Sequence, residues 1–99
     1  EIRGHLRLQV SLSPAPSRLT WPRIETPTHI CTVGCARPLD DALRIAFEEM
    51  VYWLEEEYGM SGPEAYMLLG QVADARCTQM VNPKFTYICK FPKRYLPSR

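Results

Sequence analysis

The 99-residue chain lacks a long apolar run, an excess of either charge and a dense set of cysteines. Each absence excludes something. With only short apolar runs, no helix is expected to span a membrane. Residues 1–12 alternate apolar and polar where a signal peptide needs a continuous apolar block, so none is read there. The 12 Lys and Arg against 11 Asp and Glu leave a formal net charge of +1, too little to attract a polyanion. Tyr52, Trp53, Tyr58 and Tyr66 are not interleaved with a basic patch, so a nucleic-acid partner is not expected. Cys31, Cys35, Cys77 and Cys89 lie singly in apolar segments and do not read as a secreted disulfide framework. As small hydrophobes they fit a reducing, cytoplasmic compartment. There is no G-x-S-x-G, no H-E-x-x-H and no glycine-rich phosphate loop. The residues therefore offer no self-sufficient active site and no cofactor site.

What is present reads as one small domain, residues 1–99, with a single core. Its first residue is Glu1, and the opening runs straight into a strand pattern, as expected of a piece of something longer or of a processed or trimmed terminus. In "HLRLQVSL", Leu6, Leu8, Val10 and Leu12 fall on one face, and period 2 predicts a half-buried strand. The proline-rich "SPAPSRLTWPR" reads as a loop. "RIETPTHICTVG" is β-rich, interrupted at Pro27 and ended by Gly34, so it is an edge strand or two short pieces. In "PLDDALRIAFEEMVYWLEEEYG", Leu39, Leu43, Phe47, Met50 and Leu54 form one apolar stripe and predict a long helix closed by Gly59. "SGPEAYMLLGQVADARC" predicts a second helix, opened by a Ser61–Glu64 capping box with Pro63 in its first turn. Ala65, Leu68, Leu69, Val72 and Ala73 form its buried face. Phe85, Tyr87, Cys89 and Phe91 alternate along a last strand. The order β-β-α-α-β predicts an α+β fold: a mostly antiparallel sheet of about three strands covered by a two-helix hairpin.

The polar constellations are sparse. "HICTVGC" places His29, Cys31 and Cys35 together, but a structural zinc site needs four ligands, usually as two close pairs, and Cys77 and Cys89 are isolated. Cys35 precedes the long helix, where a thiol is activated if a base such as His29 is near; plain packing is the commoner outcome. Glu25 and His29 across Pro27 form either an acid–base or metal-ligand pair, or a solvated glutamate beside a hydrogen-bonded histidine. Glu55, Glu56 and Glu57 read as a solvated face at the unfavourable end of the helix dipole. Asp74, Arg76, Gln79 and Asn82 crowd one junction, either as the wall of a site or as a network holding the junction to another domain.

Three stretches together resemble the carboxy-terminal part of the acetamidase/formamidase family. They are "ETPTHICTVG", "RPLDDALRIAFEEMVYWLEEEYGMSGPEAYMLLGQVADARCTQMVNP" and "FPKRYLP". The shared pattern holds Glu25, Thr26, Pro27 and Gly34, then Leu39, Ala42 and Ala46. It continues with Ser61, Glu64, Ala65 and Tyr66, and with Asp74, Arg76, Gln79, Val81, Asn82, Pro83 and Pro92. The resemblance implies hydrolysis of small linear amides to a carboxylate and ammonia. It implies an amino-terminal part, absent here, whose glycine- and histidine-containing motif is associated with a divalent metal such as zinc or calcium. Partners would be that missing part, further copies of the chain and the amide. Glu25, His29, Asp74 and Gln79 then become cleft candidates, with Glu25 and His29 also candidate metal ligands. The alternative is a structural or oligomerisation module, in which Trp53, Tyr58 and Tyr66 dock the helical hairpin and all catalysis lies upstream.

Overall fold

The computed structural model describes residues 1–98. Among the described residues there are four strands and two α-helices, in the order β-β-α-α-β-β. β1 (Arg23–Glu25) and β2 (His29–Ala36) are followed by α1 (Leu39–Tyr58) and α2 (Gly62–Val72), then by β3 (Asp74–Gln79) and β4 (Phe85–Pro92). All strand pairs are antiparallel, and the spatial order is β1-β2-β4-β3. The expected α+β class stands: an antiparallel sheet with one face covered by a helical hairpin.

Pro27 divides the first β region into two pieces. The Thr26 N–H donates to the His29 carbonyl at 2.9 Å, and the Thr26 hydroxyl accepts from the N–H groups of Thr28 and His29. This tight turn makes β1 and β2 a hairpin. Gly34 does not end β2, which runs on to Ala36. Its missing side chain serves another purpose. A Cβ there would lie 2.8 Å from the Ala46 amide nitrogen and nearer still to the Ala42 carbonyl oxygen. α1 therefore rests on bare backbone.

That close approach selects which face of α1 is buried. Ala42, Ala46, Met50, Trp53 and Leu54 are buried, whereas Leu39 is exposed and Leu43 and Phe47 are half-buried. The stripe of large aliphatics expected from periodicity lies partly outside the core, because alanine is what fits where helix and sheet backbones meet. Thr32, fully buried, donates its hydroxyl to the Ala46 carbonyl and ties β2 to α1. Ile30, Phe91 and Cys89 complete the sheet side of the core, and Ala65 and Leu69 bring in α2. The expected caps are present: Gly59 closes α1 in the left-handed conformation at φ 67°, and Ser61 with Glu64 forms both halves of the capping box.

Two further expectations are corrected. The second helix stops at Val72, and residues 74–79 pair with β4 instead of continuing the helix. Ala73 is already extended, at φ −70° and ψ 139°; cross-strand hydrogen bonds outweigh the helix propensity of this stretch. Residues 6–12 form no strand, and Leu6, Leu8, Val10 and Leu12 are exposed. Their pattern needs a neighbouring strand, which the described part of the chain does not supply.

Candidate functional site

The turn between β1 and β2 gathers polar groups at one end of the sheet. Glu25, the last residue of β1, accepts from the Lys93 Nζ at 2.7 Å. The Lys93 N–H donates to the Thr28 carbonyl at 2.8 Å, so the segment after β4 is pinned to this turn. His29 places its Nδ1 2.8 Å from the Thr28 hydroxyl. It lines a shallow hollow with Pro27, Lys93 and Arg94. Glu25 and His29 thus flank the same lysine.

Glu25 also lines a cleft of about 360 Å³ between the proline-rich strap, residues 13–22, β1 and the carboxy-terminal half of α1. Arg23, Trp53, Glu57 and Ser13 share the lining. The Arg23 guanidinium lies over the Trp53 ring, 5.1 Å from its centroid, and 3.6 Å from the Glu56 carboxylate. All three guanidinium nitrogens are buried without a hydrogen bond, as are the Trp53 indole nitrogen and one Glu56 oxygen. Such groups carry a desolvation cost unless they gain partners.

The strap is held by acids that sequence reasoning left as a solvated face. Glu56 accepts from the Ser17 hydroxyl at 2.6 Å and from the Arg18 N–H at 3.1 Å. Arg18 also bonds Glu55 at 2.8 Å and stacks over Tyr52. The Ser17 hydroxyl, and then Arg18, hold the Glu56 carboxyl below its ordinary range. Buried Glu49 accepts from the Thr20 hydroxyl. The acids sit at the wrong end of α1 for the helix dipole because they serve the strap. A Ser-x-x-Thr stretch holding Arg18, and a distant run of glutamates, were the available signals; only the fold pairs the two.

Asp74 and Gln79 lie on β3, the edge opposite β1. Glu25 and β3 are separated by three strand spacings, roughly 14 Å. Asp74 pairs with Arg76 at 3.1 Å on the surface. Gln79 closes the β3–β4 turn: its Oε1 accepts from the N–H groups of Val81 and Asn82 at 2.6 and 2.9 Å, and its Nε2 donates to the Lys84 carbonyl. The four candidates therefore separate into Glu25 with His29, a lone surface ion pair and a turn latch. The D-x-R-x-x-Q-x-V-N-P stretch is a strand and its turn. His29 and Cys35 are six residues apart on one strand, roughly 20 Å, so His29 is no base for that thiol. Burial pushes the Cys89 thiol up to about 12 and raises Cys31 as well. Among the described residues no three His, Cys, Asp or Glu side chains meet to hold a metal ion. Glu25 and His29 would need further ligands from elsewhere to hold one. No helix among the described residues is long and apolar enough to cross a membrane.

No protein-family model and no curated protein matches the chain. Solved structures do. An acetamidase from Yersinia enterocolitica matches 82% of this chain at 42% identity and a TM-score of 0.79, and the match spans 24% of that protein. An acetamidase from Bacillus halodurans matches 75% at 34% identity, with a TM-score of 0.69, over 25% of its own length. A predicted acetamidase/formamidase from Thermoanaerobacter tengcongensis shares the fold over 79% of the chain at 24% identity, with a TM-score of 0.69 and 27% of its own length covered. The chain thus resembles about a quarter of each of these proteins in sequence, fold or both.

Proposed function

We propose that this chain is the carboxy-terminal portion of an amide hydrolase of the acetamidase/formamidase type, acting in the cytoplasm on small linear amides. The observation that carries the reading is the 42% identity over 82% of the chain, at a TM-score of 0.79, to an acetamidase. In this reading the domain is support and cleft wall. The remaining part of the enzyme supplies the nucleophile and any divalent metal, and further copies of the chain join the assembly. Glu25, fixed by Lys93, presents an acceptor to an amide NH₂ at the cleft mouth. The Arg23 guanidinium, ion-paired to Glu56 but making no hydrogen bond, and the Trp53 indole N–H are donors on the cleft's inner side. A primary amide carries the complementary acceptor and donors. His29, Asp74 and Gln79 act on the turns and edges that shape this end of the sheet and its far side.

The test is ammonia release from formamide and acetamide by the 99-residue chain, with and without zinc or calcium. A folded sample is expected to release none above the buffer, because the chain spans about a quarter of its matched enzymes. Turnover by the chain alone would overturn the supporting role and make Glu25 and His29 the first residues to replace. Of the residues expected to dock the hairpin in the alternative module reading, Trp53 and Tyr58 are buried in this domain's own core and Tyr66 is exposed.

A further inference from the structure

The cleft beneath the proline-rich strap is larger than the smallest amides need. Its volume is about 360 Å³. At about 30 Å³ per heavy atom, a water's share of the liquid, acetamide occupies roughly 120 Å³ and benzamide roughly 270 Å³. The space left beside an acetamide is walled by apolar groups. Pro14, Pro16 and Leu19 line it from the strap, and Trp53 lines it from α1. Proline rings and an indole offer flat apolar surface at little cost in side-chain entropy, which suits a planar ring.

The charges of the cleft favour a neutral ligand. Arg23, Glu25 and Glu57 line it. Glu25 is paired with Lys93 at 2.7 Å, and Arg23 with Glu56 at 3.6 Å. An anion would meet two carboxylates and find Arg23 engaged. A cation would compete with the Arg23 guanidinium, which already lies over the Trp53 ring. Trp53 is 4% exposed and its indole N–H makes no hydrogen bond, a donor that a carbonyl oxygen would satisfy. We infer that this cleft binds a neutral primary carboxamide carrying an apolar ring, in preference to acetamide or formamide. The inference rests on the amidase reading for the amide group, and on the size and walls of the cleft for the ring. The ring lies between the strap prolines and Trp53, and the amide lies towards Glu25.

The probes are benzamide, its isosteres benzoate and benzamidine for charge, and acetamide for size. Binding to the 99-residue chain is followed by the indole N–H signals of Trp21 and Trp53 in proton–nitrogen correlation spectra. Trp53 lines the cleft, whereas Trp21 lines a separate hollow with Ile45 and Tyr52. Benzamide is expected to move the Trp53 signal saturably and to leave that of Trp21 in place. Its Kd is expected to be roughly tenfold or more below that of acetamide, from burial of the ring, and below those of both charged isosteres. Leu19→Ala trims the wall at a residue 38% exposed, so the fold is kept. It is expected to weaken benzamide about threefold or more and to leave acetamide unchanged. A Trp53 signal that benzamide does not move, equal affinity for acetamide, or tighter binding of benzoate or benzamidine would each overturn the inference. A folded Leu19→Ala chain with unchanged affinity for benzamide would overturn it as well. Binding is read without turnover, so these results leave the amidase reading standing. Failure of that reading would show itself separately, as an enzyme carrying this domain that binds benzamide and releases no ammonia from any amide.

Discussion

Replacing Gly34 by alanine tests how closely α1 lies on the sheet. The new methyl group would sit 2.8 Å from the Ala46 nitrogen, 3.0 Å from the Ile45 Cβ and closer still to the Ala42 carbonyl oxygen. Two of those three atoms are helix backbone, so no side-chain rotation relieves the clash and α1 must lift. Overpacking of this kind costs about 1–3 kcal/mol. Lifting α1 also weakens the hydrogen bond from Thr32 to Ala46, worth about 1 kcal/mol. A total near 3 kcal/mol lowers the melting temperature of a domain this size by roughly 12–24 °C. Gly70 is the control. It lies in α2, and a Cβ there meets nothing within 4 Å. Gly70→Ala is therefore expected to stabilise by about 0.5–1 kcal/mol. The assay is urea and thermal unfolding followed by circular dichroism, with both variants compared to the parent chain. A loss below about 1 kcal/mol for Gly34→Ala would refute the contact as described.

Acid should release the strap before the domain unfolds. The Glu56 carboxyl is held below its ordinary range in the folded chain by Ser17 and Arg18. Its contribution is therefore complete above the unfolded carboxylate value and is lost as pH falls through the lowered folded value. Hydrogen exchange at residues 13–22 is expected to rise below about pH 4.5 ahead of the core strands, and Glu56→Gln is expected to remove that pH step. Gln79→Ala frees the N–H groups of Val81 and Asn82. It is expected to cost about 1–2 kcal/mol and to raise exchange in residues 80–84 while leaving β2 unchanged. Cys89 is fully buried, with its thiol pushed up to about 12. Mass spectrometry after brief alkylation at pH 8 is expected to find it unmodified in the folded chain and modified in urea; rapid native labelling would contradict its placement in the core.

Features whose physics is local were legible in the residues alone. The left-handed Gly59 and the Ser61–Glu64 box set the break between the helices, because caps satisfy backbone groups within a few residues. The alternation of Phe85 to Phe91 marked a strand, and Pro27 marked the break between β1 and β2. The order of motifs from Glu25 to Pro92 carried the likeness to acetamidases. Contacts between distant residues depended on how the elements pack. Asp74–Gln79 became a strand because β4 offered an edge. Ala42 and Ala46, rather than Leu43 and Phe47, met the sheet because Gly34 let the backbones approach. Glu25 gained Lys93 from the far end of the chain, and Glu56 gained Ser17 and Arg18. Gln79, legible as part of a polar cluster, acquired its role as a latch only once a turn closed around it. The arm shows the boundary most plainly: its period of two encodes a strand, but a strand needs an edge to pair with, and no pattern within the segment supplies one.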